Sequence, residues 1–317
     1  MLRCISKRNM KLLHFPVAGL GFAVLAWTAI SPLVASPPAG WNLVFSDEFE
    51  GTQLDTSKWS TTMDFPGTHG PRYHNEFYLS YTLDEDVVVH DGILSLRTDR
   101  GVISGSEPIG LFDYSQGLVS THDKFMFTHG YVEIRAKYPG GKGLWPCFWL
   151  MPEGQNWPPE FDVAEYYGGQ RKMHHGLAYG SMREPKWDSS GDVETDFVNE
   201  WHTIALEWTH GRAVWYVDNV ACKTVVADYV PEVPMYLILS NGVSSAYGPS
   251  GAPDEHTVFP NAFQIDYVRI WQAPPMIVAT PAAPPAPAAP ATPAAPAKTK
   301  PAEAPSIIAV LPAAPLP

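Results

Sequence analysis

Cysteine is scarce in this chain, with three in 317 residues. Cys4 lies in a stretch that reads as an export signal, so Cys147 and Cys222 remain, either as free thiols or as one bridge. A multi-disulfide scaffold is excluded. No Cys/His spacing suits a zinc site, because His174 and His175 are adjacent rather than a turn apart. There is no glycine-rich phosphate loop and no Gly-x-Ser-x-Gly elbow, which removes P-loop and α/β-hydrolase readings. No long segment carries a helical apolar period, and no repeat of fixed length is visible. Positive charge is also short: 21 Lys and Arg face 33 Asp and Glu, a formal net charge of −12. Arg3, Lys7, Arg8 and Lys11 sit in residues 1–35 without an acid, so loss of that stretch takes the charge to about −16. A chain this acidic is not expected to seek nucleic acid, an anionic membrane or a strongly anionic polysaccharide.

Hydrophobic residues make up 45% of the chain and charged residues 17%, which suits a sizeable core. The 11 Trp, 14 Tyr and 14 Phe either fill a β core or offer flat platforms to sugar faces. The basic front, the apolar run Leu12 to Val34 and the small residues Ala35 and Ser36 form an expected signal peptide over 1–35. An uncleaved anchor is the alternative, since the run approaches the ~20 residues that span a bilayer. Residues 36–272 read as one globular unit. Residues 273–317 are mainly Pro and Ala, an extended and disordered tail. The expectation is a secreted or periplasmic monomer with no membrane contact once the signal is removed.

Strand patterns fill the globular unit. Val87–Val89 and Ile93–Arg97 flank Asp91-Gly92, a hairpin signature. Gly130–Lys137 alternates apolar and polar residues. Thr203–Trp208 and Ala213–Val217 flank a turn, Asp218-Asn219 makes another, and Ile265–Trp271 alternates again. Many short strands broken by Gly, Pro, Asn and Asp predict an all-β sandwich or barrel.

Residues 160–165 read Glu-Phe-Asp-Val-Ala-Glu. Three acids this close repel one another, which is tolerated where chemistry needs paired acid and base groups. On a strand, Glu160 and Asp162 share a face and Glu165 has the wrong parity. A β-bulge near Val163–Ala164 restores it and points Phe161 into the core. A solvated acidic loop or a calcium loop is the alternative, although the glycine and acid spacing of an EF-hand are missing.

These landmarks together resemble glycoside hydrolase family 16. The resemblance spans nearly all of Trp41–Gln272. It rests on Leu43–Phe49, His74–Tyr78, Gly130–Arg135, Gly143–Leu150, the acidic hexapeptide in its bulged form, Trp201-His202 through Asp218, and Asp266–Arg269. It implies a β-jelly roll of two curved antiparallel sheets with a concave substrate cleft. It also implies retaining endo-hydrolysis of a β-1,3- or mixed β-1,3/1,4-glucan by double displacement, with the two working carboxyl groups about 5–5.5 Å apart. On the matching positions Glu160 is the nucleophile, Glu165 the acid/base, and Asp162 the tuning hydrogen-bond partner.

The resemblance assigns Trp145 and Trp149 to sugar stacking, with core packing of one of them as the alternative. Asn75, Glu76, Arg72, Trp157 and His174 are further sugar-contact candidates. Cys147 stands where a small residue such as Ala is expected. No cofactor is expected for catalysis; a structural calcium is implied at Asp266 and the Gly92 backbone, unless Asp266 simply pairs with Arg269. Transglycosylation, agarase- or carrageenase-type hydrolysis, and sugar binding without catalysis are the alternative functions.

Overall fold

The computed structural model describes residues 37–64, 70–154, 156–194 and 197–274. The expected export signal and nearly all of the Pro/Ala tail lie outside the described residues. No helix among the described residues is long and apolar enough to cross a membrane.

Eighteen strands are described, with one 3₁₀ turn at Asp84–Asp86. The first nine are β1 (Asn42–Asp47), β2 (Ser80–Thr82), β3 (Val87–His90), β4 (Ile93–Thr98), β5 (Arg100–Ser106), β6 (Ile109–Gln116), β7 (Leu118–Ser120), β8 (Gly130–Lys137) and β9 (Leu144–Pro152). The rest are β10 (Glu160–Tyr167), β11 (Lys172–Ser181), β12 (Glu184–Asp188), β13 (Val193–Glu194), β14 (Trp201–Thr209), β15 (Arg212–Val217), β16 (Val220–Val226), β17 (Met235–Val243) and β18 (Asn261–Gln272).

One sheet runs β16-β15-β14-β8-β18-β4-β3, with β1 also on β18. The other runs β12-β11-β10-β9-β17-β7, with β13 also on β11. Both are antiparallel throughout, the jelly-roll arrangement the strand pattern and the resemblance imply. The hairpin at Asp91-Gly92 forms as read, both residues taking positive φ (52° and 75°), the conformation of a tight two-residue turn. A third small sheet, β2-β6-β5, contains a parallel β2–β6 pair that alternation alone does not reveal.

The main core lies between the two large sheets. Phe148, Leu150, Phe161, Val163, Leu237 and Leu239 from one meet Val132, Ile134, Leu206, Trp208, Trp215 and Val268 from the other. The opposite face of the seven-stranded sheet carries a second cluster with Trp145, Cys147, Trp149 and Met151. Strand β9 therefore splits by parity: Phe148 and Leu150 face the core, and the two Trp residues and Cys147 face outward.

Strand β10 breaks its register. Asp162 pairs with Trp149 of β9 but Ala164 with Phe148, so one extra residue is absorbed at Val163. On the other side Asp162 opposes Gly176 and Glu165 opposes His174, the same single insertion. A bulge frees ladder groups that need new partners once buried. The Nε1–H of Trp215, from β15 across the core, donates to the Asp162 carbonyl at 3.0 Å. The Nδ1 of His175 lies 2.6 Å from the Val163 carbonyl. Trp215→Phe keeps an aromatic ring in the core but is smaller and leaves a buried carbonyl without its donor. We expect it to lower unfolding stability by about 1–3 kcal/mol in chemical denaturation.

Candidate active site

The bulge sorts the hexapeptide by face. Phe161, Val163 and Ala164 all enter the core, whereas Glu160, Asp162 and Glu165 line one cleft of about 630 Å³. Trp145, Trp149, Trp157, Asn75 and His174 line it too, so the structure brings these predicted residues together.

Each acid is held differently. Glu160 is buried, and its Oε2 accepts the Nε1–H of Trp157 at 2.5 Å. Asp162, also buried, is hydrogen-bonded to Glu160. Burial pushes both up, and the charge on Glu160 pushes Asp162 well above the carboxylate range. Asp162 therefore carries the proton the two share, and Glu160 carries the charge. Glu165 accepts from Trp145 Nε1 at 2.8 Å and from the Tyr167 hydroxyl at 3.1 Å. Burial first, then the negative charge held by the hydrogen-bonded Asp162–Glu160 pair, push Glu165 up to about 8, against the lowering pull of His174 and the two hydrogen bonds.

His174 has its Nε2 4.0 Å from Glu165 and its Nδ1 2.8 Å from Asp192. Tyr167 stacks on its ring at 5.5 Å. Burial raises Asp192, yet hydrogen bonds from His174 and Lys172 carry it down to about 2, so it stays an anion that fixes the imidazole.

Trp145 and Trp149 form the floor of the cleft rather than free platforms. Trp145 is only 9% exposed, with Tyr78 stacked on one face at 4.5 Å, and Trp149 packs beside His74 at 5.8 Å. Burial holds His74 down to about 3, so its ring is neutral. The exposed aromatics of the walls are Trp187 (49% exposed, 6.0 Å from Trp157), Tyr247 (81%) and Phe77. Cys147 lies in the floor, its Sγ 4.0 Å from Glu165. Cys147 and Cys222 are both thiols, not joined in a disulfide.

Two site expectations, Arg72 and Glu76, need correction, and so does the alternative pairing of Asp266 with Arg269. Arg72 does not reach the cleft: its guanidinium is paired with Asp84 at 2.9 and 3.2 Å and with the Thr82 carbonyl. Glu76 is exposed and lies outside the cleft lining, because the turn held by the Asn75 carboxamide on Phe77 N–H points it to solvent. Asp266 pairs with Arg135 at 2.5 Å, while Arg269 takes Glu48 instead. Among the described residues Asp266 gathers no group of three potential ligand side chains, and the Cβ position of Gly92 faces Glu50. A calcium ion at Asp266 and the Gly92 backbone would draw its remaining ligands from backbone carbonyls and water.

Sequence reading missed Tyr167, which parity with Glu165 signals, and Gly176, which nothing in the sequence signals. A Cβ at Gly176 would sit 2.1 Å from the Asp162 Oδ2. Gly176→Ala must displace that carboxyl from Glu160. We expect kcat to fall about a hundredfold with little change in KM, since a displacement near 1 Å costs that much.

The model of Glycosyl hydrolases family 16 matches residues 73–268. The Glucan endo-1,3-beta-glucosidase A1 of Niallia circulans is 30% identical over 74% of this chain and 38% of its own length. The Beta-glucanase of Rhodothermus marinus is 29% identical over 73% of this chain and 85% of its own. The structure of LamA from Z. galactanivorans, solved with laminaritriose and laminaritetraose, is 26% identical. It superposes with a TM-score of 0.64 over 73% of this chain and 99% of that one. The chain spans about half or less of the length of several curated relatives that it matches.

Proposed function

The chain belongs to glycosyl hydrolase family 16, and on that premise we propose that it is a retaining endo-β-glycanase acting on β-1,3- or mixed β-1,3/1,4-glucan. The observation that carries this reading is the single-residue bulge that turns Glu160, Asp162 and Glu165 into one aromatic cleft, with Asp162 bonded to Glu160 and Glu165 held apart by Trp145 and Tyr167. The names of several relatives, among them a glucan endo-1,3-beta-glucosidase and an endo-1,3-1,4-beta-glycanase, support the substrate class, although a keratan-sulfate endo-1,4-beta-galactosidase is also among the matches. The acidic surface supports a neutral polymer. No cofactor enters the reaction, because carboxyl groups perform both halves.

In the first half Glu160 attacks the anomeric carbon while Glu165 passes its proton to the leaving glycosidic oxygen. The glycosyl ester on Glu160 removes its negative charge, so the pKa of Glu165 falls and its carboxylate, having given up its proton to the leaving oxygen, stays ionised and placed to act as the base. Glu165 then takes a proton from water, the water oxygen bonds to the anomeric carbon, and the ester bond to Glu160 breaks. Export through residues 1–35 to a secreted or periplasmic location is part of the proposal, on the basic-then-apolar pattern of that stretch.

Glu160→Gln and Glu165→Gln should each lower turnover on laminarin or lichenan by several orders of magnitude while oligosaccharide binding persists. NMR of the first products should show the β-anomer. An α-anomer as first product, or undiminished turnover in the Glu160 variant, overturns the reading. Agarose and carrageenan in the same assay separate the glucan from the galactan alternatives.

The pH profile follows from the same groups. Activity needs the Glu160–Asp162 pair to keep its negative charge, which burial makes it lose above the usual carboxylate range as pH falls, and Glu165 protonated, which is lost as pH rises through about 8. His174 lowers the Glu165 pKa. His174→Gln should therefore move the alkaline limb of kcat/KM to higher pH and leave the acid limb in place.

A further inference from the structure

Far from the acidic strand in sequence, three segments meet around a cluster that the proposed reaction does not use. His129 precedes β8, His210 sits in the turn between β14 and β15, and Glu232 leads into β17. We propose that His129, His210 and Glu232 form a binding site for a divalent transition-metal ion of the zinc class that clamps these segments together.

One ligand atom from each residue lies within 4.8 Å of the other two. The His129 Nε2 is 2.9 Å from the Glu232 Oε2, and the His210 Nδ1 is 3.0 Å from the Oε1. Ligands about 2.0–2.2 Å from a zinc ion stand roughly 3–3.5 Å from one another, so small side-chain adjustments would seat a metal. The His129 Nε2 is enclosed and makes no hydrogen bond despite its short approach to Glu232. The nitrogen and the carboxylate are close but not aligned on each other, the relation expected of two donors that aim at a third point. Two imidazoles and one carboxylate suit zinc, nickel or copper; calcium prefers six to eight oxygens.

The frame around the cluster is already fixed. Gln272 Nε2 donates to the Thr128 and His129 carbonyls at 3.0 and 2.9 Å. The Trp208 ring meets the His129 ring edge-on at 5.4 Å, and its Nε1–H donates to the Pro231 carbonyl at 2.8 Å. Phe127 and Met235 exchange backbone hydrogen bonds, and the Gly211 N–H donates to the Glu232 Oε1 at 3.2 Å. Anchored donors lose little entropy on binding. His210 is 88% exposed in its side chain, which leaves water free to complete the coordination. The three ligands are 81 and 22 positions apart, so no spacing rule finds them.

The test uses the purified full chain, stripped with a chelator and titrated with zinc by calorimetry and by thermal melting. The expected result is one tight zinc per chain that raises the melting temperature by roughly 5 °C or more at saturation. His210→Ala, at an exposed turn where folding is not at risk, and Glu232→Gln should each weaken zinc at least about tenfold and abolish the thermal shift. The exposed His90→Ala should behave as the native chain, and calcium should give no shift. A thermal shift unchanged in both ligand variants overturns the proposal. So does zinc that only inhibits hydrolysis and leaves melting unmoved, which assigns the metal to Asp162, Glu165 and His174 instead.

Discussion

One inserted residue, Val163, is the constraint on which the rest of the structure depends. Regular pairing through β10 would turn Glu165 into the core and leave the cleft with two acids. The insertion is stable because its displaced backbone is served from two directions. His175 on the neighbouring strand takes the Val163 carbonyl, and Trp215 on the opposing sheet takes that of Asp162. The packing of the two sheets and the aim of the acids are thus one problem with one solution. Phe161, Val163 and Ala164 bury their side chains between the sheets, so the apolar gain of that contact offsets the irregular backbone.

Burying three carboxyl groups side by side is unfavourable, and their different partners turn that cost into different protonation states. The cleft donors to Glu160 and Glu165 are neutral: the indoles of Trp157 and Trp145 and the phenol of Tyr167. Neutral donors hold a carboxyl in place without removing its proton. An Arg or Lys in the position of Trp145 would stabilise the anion of Glu165 and leave no acid near neutral pH. The buried cation Lys223 sits on β16 of the opposing sheet. Its Nζ donates to the His175 and Asp188 carbonyls, and its charge bears on Asp162 rather than on Glu165.

Much of this was legible in the sequence because it follows from period and turn chemistry. Alternation in β8 and β18, the Asp91-Gly92 hairpin and the parity of residues 160–165 are local properties. They led to the sandwich, the bulge and the shared face of the three acids. The split of β9 into core-facing Phe148 and cleft-facing Trp149 was legible on the same ground. What could not be read depends on contacts between distant segments. Gly176 is required only because Asp162 occupies the space of its side chain. Arg72 was expected in the cleft, yet Asp84, twelve residues on, takes its guanidinium. The parallel β2–β6 pair joins strands that periodicity treats as unrelated.

The cleft also divides its labour. Residues of the floor are already committed: Trp145 to Glu165 and Tyr78, Trp149 to His74, Trp157 to Glu160. A floor bound so closely to the carboxyl groups cannot be changed for one polymer over another without disturbing the proton positions. Discrimination must therefore rest with the walls, where Trp187, Met182, Tyr247 and Phe77 keep exposed faces and serve no carboxyl group. These residues sit on β12 and its preceding turn, on the segment after β17, and on the turn before β2, outside the strands that carry the acids. One acidic strand on one floor can thus serve several sugar polymers, because the surfaces that distinguish them belong to different parts of the chain.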